Sequence, residues 1–154
     1  MIVAVGKKIP AFSLPRSDGT VWKSTDAKGA NLVLYFYPKD MTPGCTLEGQ
    51  DFRDLHSAFK RAKTMVLGLS KDSCERHAKF RAREKFPFEL LSDEDEKVCR
   101  LFDVIREKSL YGRKFMGIER STFFVDANGV LVREWRKVRV KGHAAEVLEA
   151  ARSL

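Results

Sequence analysis

The 154-residue sequence has no long hydrophobic run. Its longest unbroken apolar stretch, Leu32 to Tyr37, is far short of a membrane span. It has only three cysteines, and no CxxC spacing among them, which argues against a zinc site and against a dithiol redox centre of the thioredoxin type. Its three histidines, His56, His77 and His143, fall at unrelated spacings and read as solvated helix residues. No repeat, low-complexity tract or linker suggests a second domain, so one domain over 1–154 is expected. The opening MIVAVGKK lacks both the basic start and the full apolar core of a secretory signal, and the expected location is therefore cytoplasmic, with thiols kept reduced.

What is present is the composition of a soluble globular chain, 44% hydrophobic and 32% charged. The net charge of +8 permits an anionic partner, but lysines and arginines are scattered. In the densest stretch, REWRKVRVKGH, alternation of the side chains gives no clean basic face. A solvated strand is the better reading, with no specific nucleic-acid partner and no membrane.

AFSL and TVWKS, joined through an Asp-Gly turn, read as two short strands. NLVLYFY and TMVLGLS are continuous apolar strands, buried on both faces. Between them Cys45, Gly49, Phe52, Leu55 and Phe59 share one helical face. Asp72 with Glu75 suggests a capping box for a helix running to about Lys85, and Ser92 suggests a cap for a helix in SDEDEKVCRLF. RSTFFVD and VLVREW form a hairpin around ANG, and HAAEVLEAARSL is a closing helix. Residues Arg106 to Glu119 fit no regular element and read as a functional or covering loop. This order implies an α/β sandwich with a mixed central β-sheet flanked by helices.

The segment YPKDMTPGCTLEG ends the first buried strand with Pro38 and starts a helix near Gly44. Cys45 then lies in the first helical turn, where unpaired N–H groups and the positive end of the helix dipole favour a thiolate, the reactive form of cysteine. The competing reading is an inert core cysteine on the Gly49/Phe52 face.

Pro38, Thr42 and Cys45 form a P-x-x-x-T-x-x-C pattern that resembles the active-site signature of peroxiredoxins. The fuller FYPKDMTPGCTLEG is similar to the Q-type subfamily, also called bacterioferritin comigratory proteins. The resemblance continues through GLSKDS, LLSDEDEKVC and GIERSTFFVDANG, and is weakest at both ends. It implies a thioredoxin-like fold and reduction of hydrogen peroxide or organic hydroperoxides, with no metal, flavin or haem. By the same resemblance Cys45 is the nucleophile that becomes a sulfenic acid and Thr42 binds the peroxide oxygens. Arg120 holds the thiolate and polarises the O–O bond, Pro38 shields the site, and the N–H groups of Gly44 and Cys45 complete the donors. Thioredoxin, glutaredoxin or a small thiol would be the reductant, and the chain a monomer or weak homodimer.

Each role has a plainer competitor. Thr42 could be an ordinary helix cap, and Arg120 alone would be a surface arginine. Glu48, one turn after Cys45, either braces Arg120 or only complements the helix dipole. Phe115 and Met116 either form an apolar lip or pack beneath the Arg106–Glu119 loop. Acidity alone contributes little: lowering a thiol pKa from about 8.5 to about 6 raises the thiolate fraction about thirtyfold but lowers intrinsic nucleophilicity about tenfold. Preorganised donors must supply the rest.

Many Q-type members carry a resolving cysteine five residues after the first, where this chain has Gln50. Cys74, at the start of its helix, and Cys99, beside Val98 and Phe102, are the remaining candidates to resolve the sulfenic acid. Otherwise an external thiol serves a one-cysteine cycle. A basic binding protein or a redox chaperone on the same fold is the alternative of a different class.

Overall fold

The computed structural model describes residues 2–27 and 29–154. Strands β3 (Asn31–Phe36), β4 (Thr64–Ser70), β5 (Glu89–Ser92), β8 (Ser121–Val125) and β9 (Leu131–Trp135) form one sheet in the order β5-β4-β3-β8-β9. β3, β4 and β5 are parallel, whereas β8 runs antiparallel to β3 and β9 antiparallel to β8. The sheet is therefore mixed, as the change from crossovers to a hairpin in the sequence predicts. Two ribbons stand apart from it, β1 (Ser13–Pro15) with β2 (Val21–Lys23), and β6 (Ile105–Leu110) with β7 (Arg113–Ile118).

Strand periodicity divides the core in two. On β3, Leu32, Leu34 and Phe36 join one apolar cluster, and Val33, Tyr35 and the following Tyr37 join the other. The first cluster packs Leu14 and Trp22 of the N-terminal ribbon and Val98, Cys99 and Phe102 in and after α4 (Lys97–Leu101). The second packs Cys45 and Phe52 of α1 (Pro43–Asp54), Phe59 of α2 (His56–Arg61), Phe80 of α3 (Cys74–Glu84) and Val147 and Leu148 of α5 (His143–Arg152). Each fully buried Phe or Leu contributes about 1.5–3 kcal/mol, so the two layers hold the parallel strands from both sides. Gly68 on β4 lies opposite Tyr35. A Cβ there would come within 2.9 Å of the tyrosine ring, so the glycine is the space the ring occupies.

Several expectations need correction. Arg106 to Glu119 is not an irregular loop but the β6–β7 hairpin, turned through Tyr111 and Gly112 with φ of 51° and 77°. Two positive φ values suit the two-residue turn whose twist matches the strands. Phe115 and Met116 are about half exposed on this hairpin and do not pack beneath it. The cap of α3 is Ser73, whose Oγ accepts from Arg76 N at 3.2 Å, because Asp72 is engaged elsewhere. Ser92 ends β5, donating its hydroxyl to Asp72 O, and the α4 N–H groups of Val98 and Cys99 are taken by the buried Asp93 carboxylate. His77 and His143 are buried and His56 is half-buried. Their rings face Tyr37, Phe52 and Phe88 from helix faces turned inward.

Candidate active site

β3 continues through Tyr37 to Pro38, where a ring without an N–H ends the ladder. The chain turns at Met41, whose φ of 65° puts a non-glycine residue in the left-handed region at a cost of about 1–2 kcal/mol. Asp40 pins that turn. Its N–H donates to Asp72 Oδ2 at 2.9 Å, its carbonyl accepts from Arg76 at 3.5 Å, and its carboxylate takes Tyr37 Oη at 2.6 Å and faces His77 Nδ1 at 2.7 Å. Asp40, Asp72 and His77 thus offer atoms within 4.8 Å of one another, but these atoms already hold hydrogen bonds within the protein.

Thr42 is the N-cap of α1 by backbone position, yet its side chain does not cap the helix. Its hydroxyl donates to Lys39 O at 2.8 Å and remains free as an acceptor. Pro43 occupies the first helical position, where a missing N–H costs nothing. The first helical bond outside the element is Thr46 N to Thr42 O at 2.9 Å, so the Gly44 and Cys45 N–H groups lie ahead of it at the positive end of the dipole. Cys45 itself is 2% exposed.

Arg120 arrives from the residue before β8, 75 positions away in sequence and brought alongside by the antiparallel β3–β8 pairing. Its guanidinium forks: Nη1 donates to Glu48 Oε1 at 2.6 Å and Nη2 lies 3.5 Å from Cys45 Sγ. Gly44 makes this approach available, since a Cβ there would sit 3.1 Å from Nη2. Glu48 is 1% exposed, and its Oε2 has no partner among the described residues. Burial pushes its carboxyl up to about 7, against the pull of the Arg120 charge. Glu48 therefore braces Arg120 from one turn along α1, beyond any dipole role.

Pro38 is half-buried. Lys108 on β6 is a neighbour that sequence pattern missed: burial and the Arg120 charge both depress its ammonium pKa, while Cys45 raises it. Its only signal would have been the hairpin register, in which Lys108 faces Phe115. Tyr35 also approaches from beneath, its hydroxyl buried without a partner among the described residues and its pKa raised by burial and by Glu48 and Cys45.

The other thiols are placed differently. Cys99 belongs to the apolar cluster on the opposite face of the sheet from Cys45, fully buried, with burial and Asp93 raising its pKa. Cys74 is half-buried at the first position of α3, on the same face as α1. Gln50 is turned away, donating to Glu84 at 2.8 Å.

The AhpC/TSA family profile matches residues 5–134. Peroxiredoxin Bcp of Bacillus subtilis is 47% identical over 154 residues, covering 100% of this chain and 98% of that protein. Among solved structures, Xanthomonas campestris peroxiredoxin Q superposes with a TM-score of 0.88 at 49% identity, covering 92% of this chain and 90% of that one. A cysteine-to-serine mutant of Xylella fastidiosa PrxQ gives 0.93 at 40% identity, covering 99% and 98%. A thioredoxin-like sheet with a buried cysteine, arginine and glutamate at one helix start, together with these matches along nearly the whole chain, makes this protein a member of the AhpC/TSA family, in its peroxiredoxin Q/Bcp branch.

Proposed function

We infer that the chain is a thiol peroxidase in which Cys45 is the nucleophile. The observation that carries the reading is the Arg120 fork, with one nitrogen on the Glu48 carboxylate and the other 3.5 Å from Sγ at the start of α1. The Cys45 thiolate attacks the hydroxyl oxygen of a hydroperoxide. An S–O bond forms, the O–O bond breaks, and the departing alkoxide or hydroxide takes a proton to leave as alcohol or water. Cysteine is oxidised to the sulfenic acid and the peroxide is reduced by the same electron pair. Charge builds on the leaving oxygen, where the Arg120 guanidinium and the Gly44 and Cys45 N–H groups are aimed. Thr42, its own proton committed to Lys39, accepts from the peroxide O–H. Pro38 keeps bulk water from the sulfur, and Glu48 holds the guanidinium in register.

Regeneration needs two thiol equivalents, which release the oxygen as water and leave a disulfide in the reductant. An external thiol, thioredoxin, glutaredoxin or a small molecule, is the reading favoured by Gln50 in the usual resolving position and by Cys99 across the sheet. A reducing cytoplasm suits three free cysteines. One Xanthomonas campestris relative, 48% identical, is described by its alkyl peroxide reduction activity, and organic hydroperoxides are proposed here beside hydrogen peroxide.

Intact mass after one equivalent of peroxide tests the reading. Wild type should gain one oxygen atom or its disulfide equivalent, and Cys45→Ser should gain none while remaining folded and losing peroxide turnover. Turnover above a few per cent in Cys45→Ser, measured with a thiol reductant present, would remove Cys45 from the role.

A further inference from the structure

The reaction above makes no use of His77, yet no other imidazole in the chain is so completely enclosed: it is 0% exposed and both ring nitrogens meet acceptors. Nε2 lies 3.0 Å from Leu91 O of β5, and a carbonyl can only accept, so Nε2 carries a proton. Nδ1 lies 2.7 Å from Asp40 Oδ2, with Tyr37 Oη at 3.5 Å. A second proton must lie between Nδ1 and the carboxylate, because two lone pairs at that distance would repel. Asp40 Oδ1 meanwhile accepts the Tyr37 hydroxyl at 2.6 Å, so both carboxylate oxygens are engaged. Charged groups surround the ring. Asp40 faces it from the turn after β3, and Asp72 lies behind Asp40 from the loop after β4. Arg76 of α3 offsets Asp72 through a 3.1 Å contact. From the residue after β3 and from β5 the ring meets, among the described residues, the Tyr37 hydroxyl and the Leu91 carbonyl.

The acceptor Asp40 lies one residue before the left-handed Met41 and two before Thr42. A non-glycine residue in that conformation persists only where its surroundings over-determine it. All of Asp40's polar groups are engaged, and the carboxylate end is fixed through the imidazole to α3 and β5. We propose that His77 is a positioning residue for peroxide reduction, a ring held at both nitrogens that clamps Asp40 so that the Met41 turn presents Thr42 and the start of α1 to the peroxide. This rests on the thiol-peroxidase reading and adds to it a residue that never touches substrate.

Long-range ¹H–¹⁵N correlation spectra of wild type report the ring nitrogens directly. The nitrogen that faces the Leu91 carbonyl, Nε2, should carry a proton, and a bare Nε2 overturns the proposal. The second measurement is the rate of Cys45 thiol loss in excess hydrogen peroxide, followed by rapid alkylation. His77→Leu should slow it by about tenfold or more, the scale expected when reacting groups are misplaced by a fraction of an ångström. His77→Asn, whose Nδ2 can stand where Nδ1 stood, should recover most of that loss. A purely structural role would lower melting temperature in both variants without this split. Leucine oxidising at the wild-type rate, or asparagine no faster than leucine, overturns the proposal. If leucine fails to fold, the wild-type spectrum alone decides. Wild type inert to peroxide would instead overturn the peroxidase reading, a different and separately visible failure.

Discussion

Glu48 and Arg120 form an ion pair with Oε1 and Nη1 2.6 Å apart, and the carboxylate side chain is 1% exposed against 16% for the guanidinium. The glutamate carries a cost that its position explains. Burial pushes its carboxyl up to about 7, above the ordinary 4.5, so the native state holds a proton that the unfolded chain has already released. The stability this group confers is complete below about pH 4.5 and is lost as pH rises through about 7. Glu48→Gln should remove that slope. The difference in unfolding free energy between wild type and variant should shift by about 3 kcal/mol between those limits, to the disadvantage of wild type at the alkaline end. Denaturant titrations at both ends check it, and parallel curves for the two proteins would refute it.

Arg120→Met should slow Cys45 oxidation by about a hundredfold, the usual scale for removing one preorganised donor from a developing oxyanion. It also strips Glu48 of the charge that opposes its burial, so the Glu48 carboxyl should rise further above about 7. Stopped-flow oxidation within threefold of wild type would make Arg120 a bystander.

Gly44→Ala separates helix stability from chemistry. Alanine in the first turn favours the helix by up to about 1 kcal/mol, while its Cβ would stand 3.1 Å from Arg120 Nη2 and push the guanidinium off the sulfur by a few tenths of an ångström. The expected result is an unchanged or higher melting temperature with oxidation slowed by about fivefold or more. A variant as fast as wild type would mean the guanidinium can shift without loss.

These residues were not equally legible in the sequence. The Cys45 turn could be read locally, since two prolines and a helix start lie within eight residues of it. Arg120 could be found only through the family pattern, because nothing but β3–β8 pairing brings it to Cys45. The sequence pattern makes His77 look solvated for the same reason: its partners, Asp40 and the Leu91 carbonyl, are 37 and 14 residues away. The β6–β7 hairpin leaves no pattern in the sequence because residues 109–116 are exposed on both faces and show no apolar alternation. Its Tyr-Gly turn lacks the Asn-Gly or Asp-Gly signature. Four of the five core strands were legible, β3, β4 and β8 as apolar runs and β9 as the second arm of the hairpin, whereas β5 is only four residues long and begins on a charged glutamate.

The last prediction concerns recycling. Cys99 lies across the sheet from Cys45, so a bond between them would require the β3–β8 layer to open, far more than a helix end fraying. Cys74 shares a face with Cys45, but its helix start is fastened by Ser73 to Arg76 N, by Arg76 to Asp72 at 3.1 Å and by Asp72 to Asp40 N at 2.9 Å. The Cys45 helix starts on Pro43 and follows the turn that Asp40 pins. Both ends would have to come loose together for the sulfurs to meet. Oxidised wild type without added thiol should therefore gain one oxygen atom, should not lose two hydrogens, and should yield no linked peptide. Cys74→Ser and Cys99→Ser should then overoxidise to the sulfinic acid at the wild-type rate in excess peroxide. A Cys45–Cys74 peptide in the wild-type digest, with faster overoxidation of Cys74→Ser, would show that the fastened helix starts do open and that the chain supplies its own resolving thiol.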